Sequence, residues 1–574
     1  MTMTFDVENH NELPIEENFI EQAEYIDRAK FLALSAQHPD EVSILKKLMG
    51  GGAKLLIGPR GCGKSTLMRK AFFRILESGT DKAIPIYVNF KLALKLEPFY
   101  VNGPNATYWF KAWLVLKVLL AVWETKELDD DIVLPAQLPP KEKLNKLVDI
   151  LEASRAEDDQ VNDFSIGFLT VVMDNLATEN SVKRVVILID DAAHSFSEKQ
   201  QEDFFDFFRA IKSRTISPKA AVYPGITAHS ASFHVGHDAE QIDAWVKPSG
   251  QEYEEFMLSL ANKRFAGTNI DVVSKNEEDI RFLAYCSFGI PRAFLGMLRS
   301  IYNSQEAYTT TDGTLNKNAV LRLSRSGRDM SHAVFDSLSS KLPSYHSYVT
   351  NGTKIYQAIL SQTKEYNRGK ELEKQGLQFA IRTPIEADIG KVFGFLQYSG
   401  LIMPSGSILK GEKGSFQHYH VHTGDLTAEN VIVGQRTKSI ASFLKVVRAT
   451  KHQAWPRLTS VALLDAAKTK ASDFTLSLPV CHVCATPRSN PEARFCSNCG
   501  TQLKPSSAYE ALVGQPISVL PISKTLEKRI RENSNIRKVR DVLLDVDRRT
   551  LLGIPYVGKI RAQQIVGHAE EHVS

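Results

Sequence analysis

The chain has 574 residues, more than a single hydrophobic core supports, so we expect about three or four domains. Its hydrophobic (43%) and charged (24%) fractions are those of ordinary globular protein, and a net charge of +4 does not by itself indicate nucleic-acid binding. The polar, acidic N-terminus lacks the apolar core of a signal peptide, which predicts a cytoplasmic protein.

A phosphate-binding loop is the first strong signal. Apolar residues at Lys54–Ile57 predict a buried strand, helical spacing follows over Thr66–Leu76, and the segment between matches Gly-x-x-x-x-Gly-Lys-Ser. This strand–loop–helix context argues against a chance match. Lys64 is predicted to reach the β- and γ-phosphates of ATP, and Ser65 to ligate Mg²⁺. The predicted ATP-binding residues are Gly58, Pro59, Arg60, Gly61, Cys62, Gly63, Lys64, Ser65 and Thr66.

One stretch is apolar enough to consider for a membrane. Trp109–Trp123 contains Lys111 and Lys117 and is shorter than the roughly 20 residues that a span needs. We therefore predict a buried helix and no membrane association.

Acidic residues follow the most apolar strand. Arg184–Ile189 is a continuous apolar run of the kind that parallel sheets bury, and it ends in Asp190 and Asp191. Asp190 is predicted to hold Mg²⁺ through water, and Asp191 to polarise the attacking water. The alternative is an ordinary acidic turn. With further strands at Ile84–Phe90 and Ala220–Thr227, the fold class is α/β.

Two helices are predicted within Asp279–Ser300, broken at Gly289-Ile290-Pro291-Arg292. The order of phosphate-binding loop, Asp-Asp strand, polar strand end and Gly-x-Pro-Arg resembles the AAA+ ATPases, and within them the origin-recognition and replication-initiator branch. The resemblance covers roughly residues 15–305. It implies a parallel-sheet core over 1–270, a helical lid over 271–320, and a homo-oligomer.

The same resemblance implies roles for single residues. Thr227 would sense the γ-phosphate, or simply end a strand. Arg292 would be the lid arginine that contacts the γ-phosphate, or simply start a helix. Related ATPases often carry Glu where this chain has Asp191, which leaves the hydrolysis rate open. An arginine finger for a neighbouring subunit is also expected, with Arg264 as the first candidate and Arg209 and Arg214 as weaker ones.

A winged-helix domain is predicted over 321–430, where the resembled family carries one. Its elements are a helix over Lys354–Leu360, a second from Pro384 to about Ser399, a strand over Gly400–Pro404, a Gly-, Ser- and Lys-rich loop over Ser405–Ser415 and a strand over Phe416–His422. Lys410 and Lys413 on the wing would contact DNA phosphates, and the second helix would be the recognition helix. The alternative is a domain used for protein contacts.

A basic segment and a zinc ribbon follow. The basic linker over 431–475 includes Asn430–Leu464, which has six Lys or Arg and no Asp or Glu. It suits a phosphate backbone or a helix face packed on an acidic neighbour. Within 476–505, two Cys-x-x-Cys pairs resemble small zinc ribbons and predict a structural Zn²⁺. The predicted ligands are Cys481, Cys484, Cys496 and Cys499.

The tail over 520–574 resembles the helix-hairpin-helix of DNA repair proteins. Lys524–Arg561 holds eleven Lys or Arg against five Asp or Glu. Gly558 and Ala562 match the hairpin, whereas Tyr556 replaces its first glycine. Gly558, Lys559 and Arg561 are the predicted contacts to DNA phosphates, and a packing module is the alternative.

Two functions remain. The first is an ATP-driven DNA-binding protein, in a bacterial replication, mobile-element or phage-defence setting. The second is a signalling or scaffold ATPase that recruits an effector protein through its C-terminal modules.

Overall fold

The fold is that of a computed structural model. The residues that the structure describes are 17–573, except 21, 27, 79–82, 103–104, 154–160, 193–196, 269–270, 410–413, 433–438, 450–454, 479, 482, 489–492, 494 and 504–506.

A five-stranded parallel sheet forms the centre of the N-terminal half. Its strands are β1 Lys54–Ile57, β2 Ile84–Asn89, β3 Val185–Asp190, β4 Ile216–Val222 and β5 Glu240–Asp243, in the order β2-β3-β4-β1-β5. Every pairing is parallel. All residues of β3 are buried, as its continuous apolar run predicted. The predicted α/β fold with a parallel sheet is confirmed.

Helices cover both faces of this sheet. They are α1 Arg28–Leu34, α2 Glu41–Met49, α3 Lys64–Glu77, α4 Glu97–Asn102, α5 Ala106–Leu128, α6 Lys141–Glu152, α7 Ile166–Glu179, α8 Glu198–Ala210 and α9 Tyr253–Phe265. In the described part of the chain, α5 alone passes a length-and-composition test for a membrane span, and 67% of its most apolar window is buried inside the protein. α5 is therefore the buried helix that the sequence predicted.

The lid is helical. It comprises α10 Glu277–Cys286, α11 Pro291–Asn303, α12 Gln305–Tyr308 and the start of α13 Lys317–Lys341. The predicted break lies between α10 and α11, where Gly289 has a φ of +73° and Pro291 opens the next helix. Since α13 continues to Lys341, the predicted boundary at residue 320 falls inside one helix.

A second sheet follows α13, and we call residues 346–467 the hairpin unit. It contains α14 His346–Asn367, β6 Gln378–Arg382, α15 Ala387–Tyr398, β7 Ile402–Leu409, β8 Ser415–Val421, α16 Thr423–Ala428, α17 Ile440–Arg448, β9 Arg457–Leu458 and α18 Ser460–Ala467. The sheet order is β7-β8-β6-β9, with β8 antiparallel to both neighbours. Because β7 extends to Leu409, the loop is shorter than predicted; Lys410 and Lys413 lie outside the described residues.

The chain ends in a helical bundle, residues 507–573, which we call the C-terminal module. Its helices are α19 Ala508–Val513, α20 Lys524–Asn533, α21 Val539–Leu543, α22 Arg549–Leu552 and α23 Lys559–Val573. They pack around a small apolar core that includes Leu512, Ile530 and Ile565. The module thus starts before the predicted boundary at residue 520.

Candidate nucleotide site, cysteine cluster and hairpin

The predicted phosphate-binding loop connects β1 to the N-terminus of α3. Gly61 and Gly63 have φ angles of +82° and +100°, in the left-handed region that favours glycine. Lys64 is 5% exposed and donates from Nζ to the carbonyls of Gly58 at 2.8 Å and Pro59 at 2.9 Å. Burial lowers the pKa of Lys64. The N–H groups that open α3, together with this ammonium, suit a phosphate.

The two predicted Mg²⁺ ligands, Ser65 and Asp190, lie near each other, and the Ser65 hydroxyl lowers the pKa of the Asp190 carboxyl. Asp190 ends β3, is 1% exposed, and accepts a hydrogen bond from the Tyr87 hydroxyl at 2.6 Å. Burial, and after it the charge of Asp191, raises the pKa of Asp190 to about 7. A hydroxyl beside a buried carboxylate and a half-buried one is a hard-oxygen donor set whose charge a cation would compensate. The residues present therefore fit Mg²⁺.

Asp191 is oriented by two side chains that the sequence patterns did not single out. Its Oδ1 accepts a hydrogen bond from the Tyr223 hydroxyl at 3.0 Å, and its Oδ2 accepts one from Asn89 Nδ2 at 3.3 Å. Lys64 Nζ lies 3.8 Å from the centre of the Tyr223 ring. Tyr223 thus contacts both a predicted phosphate ligand and the predicted water-polarising carboxylate.

The prediction that Thr227 ends the fourth strand is wrong, because β4 ends at Val222. The Thr227 hydroxyl donates to the Tyr223 carbonyl at 2.7 Å and accepts from the Tyr223 N–H at 3.1 Å. These bonds close a turn after the strand, which is a common use of threonine. The residue of this segment that faces the site is Tyr223.

Arg292 lies where the lid meets the phosphate-binding loop. Its backbone N–H donates to the Gly61 carbonyl at 3.3 Å, and a Cβ on Gly61 would lie 2.9 Å from the Arg292 Cβ. The Arg292 guanidinium forms an ion pair with Glu571. The structure therefore places Arg292 at the site, and its contact with the γ-phosphate stays a prediction.

The first arginine-finger candidate is wrong. Arg264 is 5% exposed and donates from Nη1 to the carbonyls of Asn18 at 2.7 Å and Ile20 at 2.9 Å. It is engaged inside its own chain and cannot reach a neighbouring subunit. Arg209 lies 3.5 Å from an Asp238 oxygen on the surface, and Arg214 follows the end of α8.

Lys64, Ser65, Asp191, Tyr223 and Arg292 line one cleft with an empty volume of about 1170 Å³ that includes open solvent. Beyond the phosphate-binding loop, one part of its wall is apolar and aromatic, and this part comes from the N-terminal segment, α9 and α11. The side chains in this part are Ala36, His38, Phe256, Leu260 and Leu295. A phosphate-binding end beside an apolar wall suits a nucleotide.

The four cysteines lie together, as predicted. Their Sγ atoms are all within 4.8 Å of one another, with Cys481 3.6 Å from Cys499 and Cys484 3.5 Å from Cys496. A tetrahedral ion with metal–sulfur bonds of about 2.3 Å would separate its sulfurs by about 3.8 Å. The cluster therefore fits a structural metal ion, and its assignment as Zn²⁺ stays a prediction.

The predicted DNA-binding hairpin precedes α23. Tyr556 has a φ of +66°, so it adopts the left-handed backbone that a glycine would take there. Arg561 Nη1 donates to the Tyr556 carbonyl at 2.7 Å, and the Arg529 guanidinium lies 4.9 Å from the Tyr556 ring centre. Gly558 and Lys559 are exposed. The turn is thus formed despite the departure from glycine.

The proposed recognition helix is not accessible. Of α15, only Ala387 and Gly390 are exposed, and a Cβ on Gly394 would lie 2.7 Å from the Gly225 Cα atom. At its end, the Tyr398 carbonyl accepts a hydrogen bond from the Arg60 N–H of the phosphate-binding loop at 3.2 Å. This helix packs against the sheet domain. The prediction that α15 is a DNA-recognition helix is therefore wrong for the structure as described.

The described part of the basic segment packs against acidic neighbours. Lys445 forms an ion pair with Glu373 at 2.8 Å, and Arg448 pairs with Glu254 at 2.7 Å and Glu278 at 3.1 Å. These contacts favour the structural alternative over a phosphate footprint. Arg436, Lys438 and Lys451 lie outside the described residues.

No family model matches the chain, and no curated protein matches it. Among solved structures, it is similar to the ORC2 protein of Aeropyrum pernix in ADPNP–ADP complexes, with 13% identity, a TM-score of 0.33, and coverage of 76% of this chain and 97% of that one. It is also similar to Cdc6p of Pyrobaculum aerophilum (14%, 0.27, 73% and 97%) and to Drosophila ORC bound to DNA (10%, 0.26, 78% and 96%). TM-scores this low describe a loose correspondence, so function has to be argued from the chain's own residues.

Proposed function

We propose that the protein is a nucleotide-dependent switch that binds and hydrolyses Mg²⁺–ATP and binds DNA through the phosphate backbone. The observation that carries the ATPase half is the convergence of Lys64, Ser65 and Asp190 at the junction of β1, β3 and α3. This is the arrangement that phosphoryl-transfer sites use to position phosphates and neutralise their charge.

Each side chain has a distinct task in this proposal. Lys64 leaves its carbonyl partners to bind the β- and γ-phosphates, and Ser65 and Asp190 hold Mg²⁺, which supplies charge stabilisation when bound. Asp191 orients the attacking water. Tyr223 and Asn89 keep its carboxylate in that direction.

Lys64→Ala tests the ATPase half. We expect the full-length variant to lose binding of a fluorescent ATP analogue, because the ammonium that pairs with the phosphates is gone. A matched control is Lys524→Ala, which neutralises an exposed lysine of the C-terminal module. Unchanged ATP affinity in a folded Lys64→Ala variant would refute the nucleotide-site assignment.

The DNA half is supported by the surface of the C-terminal module. The hairpin residue Lys559 is exposed at the N-terminus of α23, together with Lys524, Lys528, Arg537 and Lys538 elsewhere on the module. Backbone N–H groups at a helix start and nearby lysines bind phosphates without reading sequence. We propose this surface, and not α15, as the DNA contact.

The alternative, an effector-recruiting switch, is favoured by the surface of the cysteine cluster. Val480, Val483 and Phe495 are 54%, 63% and 62% exposed, which places large apolar side chains in solvent around one small module. Several large exposed apolar side chains on one small module are a feature of protein-binding surfaces.

A salt titration of duplex binding separates the two functions. We expect the full-length protein to bind duplex DNA at low salt and to lose affinity steeply as salt rises, because bound phosphates release counterions. Lys559→Ala should reduce the slope by about one unit. If the protein does not bind duplex DNA even at low salt (about 50 mM), where binding to phosphates is strongest, the effector-recruiting alternative is favoured.

A further inference from the structure

The last turn of α23 reaches into the candidate nucleotide site. Glu571 Oε1 forms ion pairs with Arg60 of the phosphate-binding loop, at 3.1 Å, and with Arg292 of the lid. One carboxylate therefore bridges the two sides of the cleft. Although burial raises the pKa of Glu571, the charges of Arg292 and Arg60 lower it well below its usual range, so the carboxylate is ionised at neutral pH.

The backbone of the same turn adds negative charge. The Glu571 carbonyl accepts hydrogen bonds from Arg60 Nη2 at 3.1 Å and from Lys341 Nζ at 3.3 Å. The C-terminal end of a helix carries a partial negative charge, because its last carbonyls point outward. The turn thus presents one carboxylate and a backbone carbonyl oxygen to clustered cations, which also bind the oxygens of a phosphate group.

Contacts beside the cleft hold α23 in this position. Glu570 Oε2 accepts a hydrogen bond from the Tyr25 hydroxyl at 3.2 Å and forms an ion pair with Lys91 at 3.2 Å. A Cβ on Gly567 would lie 2.8 Å from the Tyr25 ring, so the helix approaches the N-terminal segment closely. Contacts at Gly567 and Glu570 therefore fix the position of α23 in addition to those of Glu571.

A separate attachment holds the module to the core. Glu97, at the start of α4, accepts hydrogen bonds from the Ser507 hydroxyl at 2.8 Å and from the Tyr509 N–H at 2.9 Å, at the start of α19. This contact does not involve α23. α23 packs into the core of the same module through Ile565 and Ala569, so opening the cleft requires only its last turn to move.

We propose that α23 is an autoinhibitory plug, in which the Glu571 carboxylate occupies the arginine pair that would bind the terminal phosphate of ATP. The inference rests on the proposed function, because the plug competes only if the cleft binds ATP. ADP lacks the terminal phosphate and displaces the plug less well. ATP binding therefore frees the last turn of α23 from the cleft.

Glu571→Gln in the full-length protein tests the plug. It keeps the shape of the side chain but removes the charge that holds the two arginines. The apparent affinity of a site falls by the fraction of molecules in which it is open. If the plug is closed in about nine molecules of ten, removing it should lower the dissociation constant for a fluorescent ATP analogue about tenfold. We expect a smaller change for the ADP analogue. The matched control is Glu532→Gln on α20, an exposed glutamate of the same module, which should leave both constants unchanged.

Amide hydrogen exchange of residues 559–573 in the wild-type chain gives a second readout that needs no variant. We expect exchange in α23 to rise when ATP is added and to rise less with ADP. Unchanged or weaker ATP affinity in folded Glu571→Gln, or unchanged exchange at saturating ATP, overturns the plug. If neither the wild type nor Glu571→Gln binds ATP, the proposed ATP-binding function is wrong. If Glu571→Gln binds ATP and the wild type does not, the result supports both the ATP-binding function and the plug.

Discussion

Asp191 occupies a left-handed backbone conformation, with a φ of +50°, that few residues other than glycine adopt. Such a conformation costs about 1–3 kcal/mol and persists when its surroundings hold it. Here the Tyr223 hydroxyl and the Asn89 amide hold the side chain from the ends of two neighbouring strands. At the scale of single residues, the hydrogen bonds from Tyr223 and Asn89 therefore set the direction of the Asp191 carboxylate together with its backbone conformation.

Tyr223→Phe is expected to lower the rate of ATP hydrolysis by about ten- to a hundredfold, because a hydrogen bond to a charged group contributes about 1.5–3 kcal/mol. Nucleotide affinity should change little, since the ring beside Lys64 remains. Steady-state hydrolysis and equilibrium binding measure the two effects separately. Tyr108→Phe, on the exposed start of α5, is the control. Hydrolysis at the wild-type rate would show that Tyr223 does not position Asp191.

The sequence predicted the residues whose spacing is local. Lys64 and Ser65 open the helix after β1 and Asp190 ends β3, so a motif and an apolar run were enough to predict them. Tyr223 and Glu571 could not be found this way, because their partners lie far along the chain and the contacts depend on how β4 and α23 pack. Arg264 was mistaken for a surface residue since nothing local indicated its burial.

At the scale of elements, α15 joins the hairpin unit to the sheet domain. Its Gly394 lies against Gly225, which has a φ of +74°, and neither position has room for a side chain. Close backbone approach of this kind brings the end of α15 to the phosphate-binding loop, where Tyr398 contacts Arg60. The order of elements in the hairpin unit was predictable from periodicity, but this docking was not.

Gly394→Ala is expected to destabilise the protein by about 1–3 kcal/mol, because the new Cβ would lie 2.7 Å from backbone that has to shift. Gly390→Ala on the same helix is the matched control: its Cβ would meet nothing within 4 Å, and alanine favours helix by up to about 1 kcal/mol. Urea unfolding of both variants measures the difference. Equal midpoints would mean that α15 is not docked as described.

At the scale of the whole molecule, the chain is held together by long helices and by contacts between its ends. α13 runs from the lid to Lys341, which donates to the last turn of α23. The predicted boundary at 320 falls inside α13, and α19 of the C-terminal module precedes the predicted boundary at 520. The cysteine cluster precedes the C-terminal module.

Cys481→Ser is expected to remove the metal ion from the cysteine cluster, because three thiolates do not close a tetrahedral shell. Elemental analysis of the purified chain should show one zinc per wild-type molecule and less in the variant. Ser497→Ala changes an exposed residue of the second Cys-x-x-Cys turn and should keep the full content. Full zinc content in Cys481→Ser would contradict the four-cysteine site.

Because Glu571 and the cleft belong to one chain, their encounter is unimolecular. A tethered group acts at an effective concentration that short flexible linkers set in the millimolar range, independent of how much protein is present. Dilution would then leave the contact intact. The effective concentration of Glu571 at the cleft would then set the concentration of ATP at which the molecule responds.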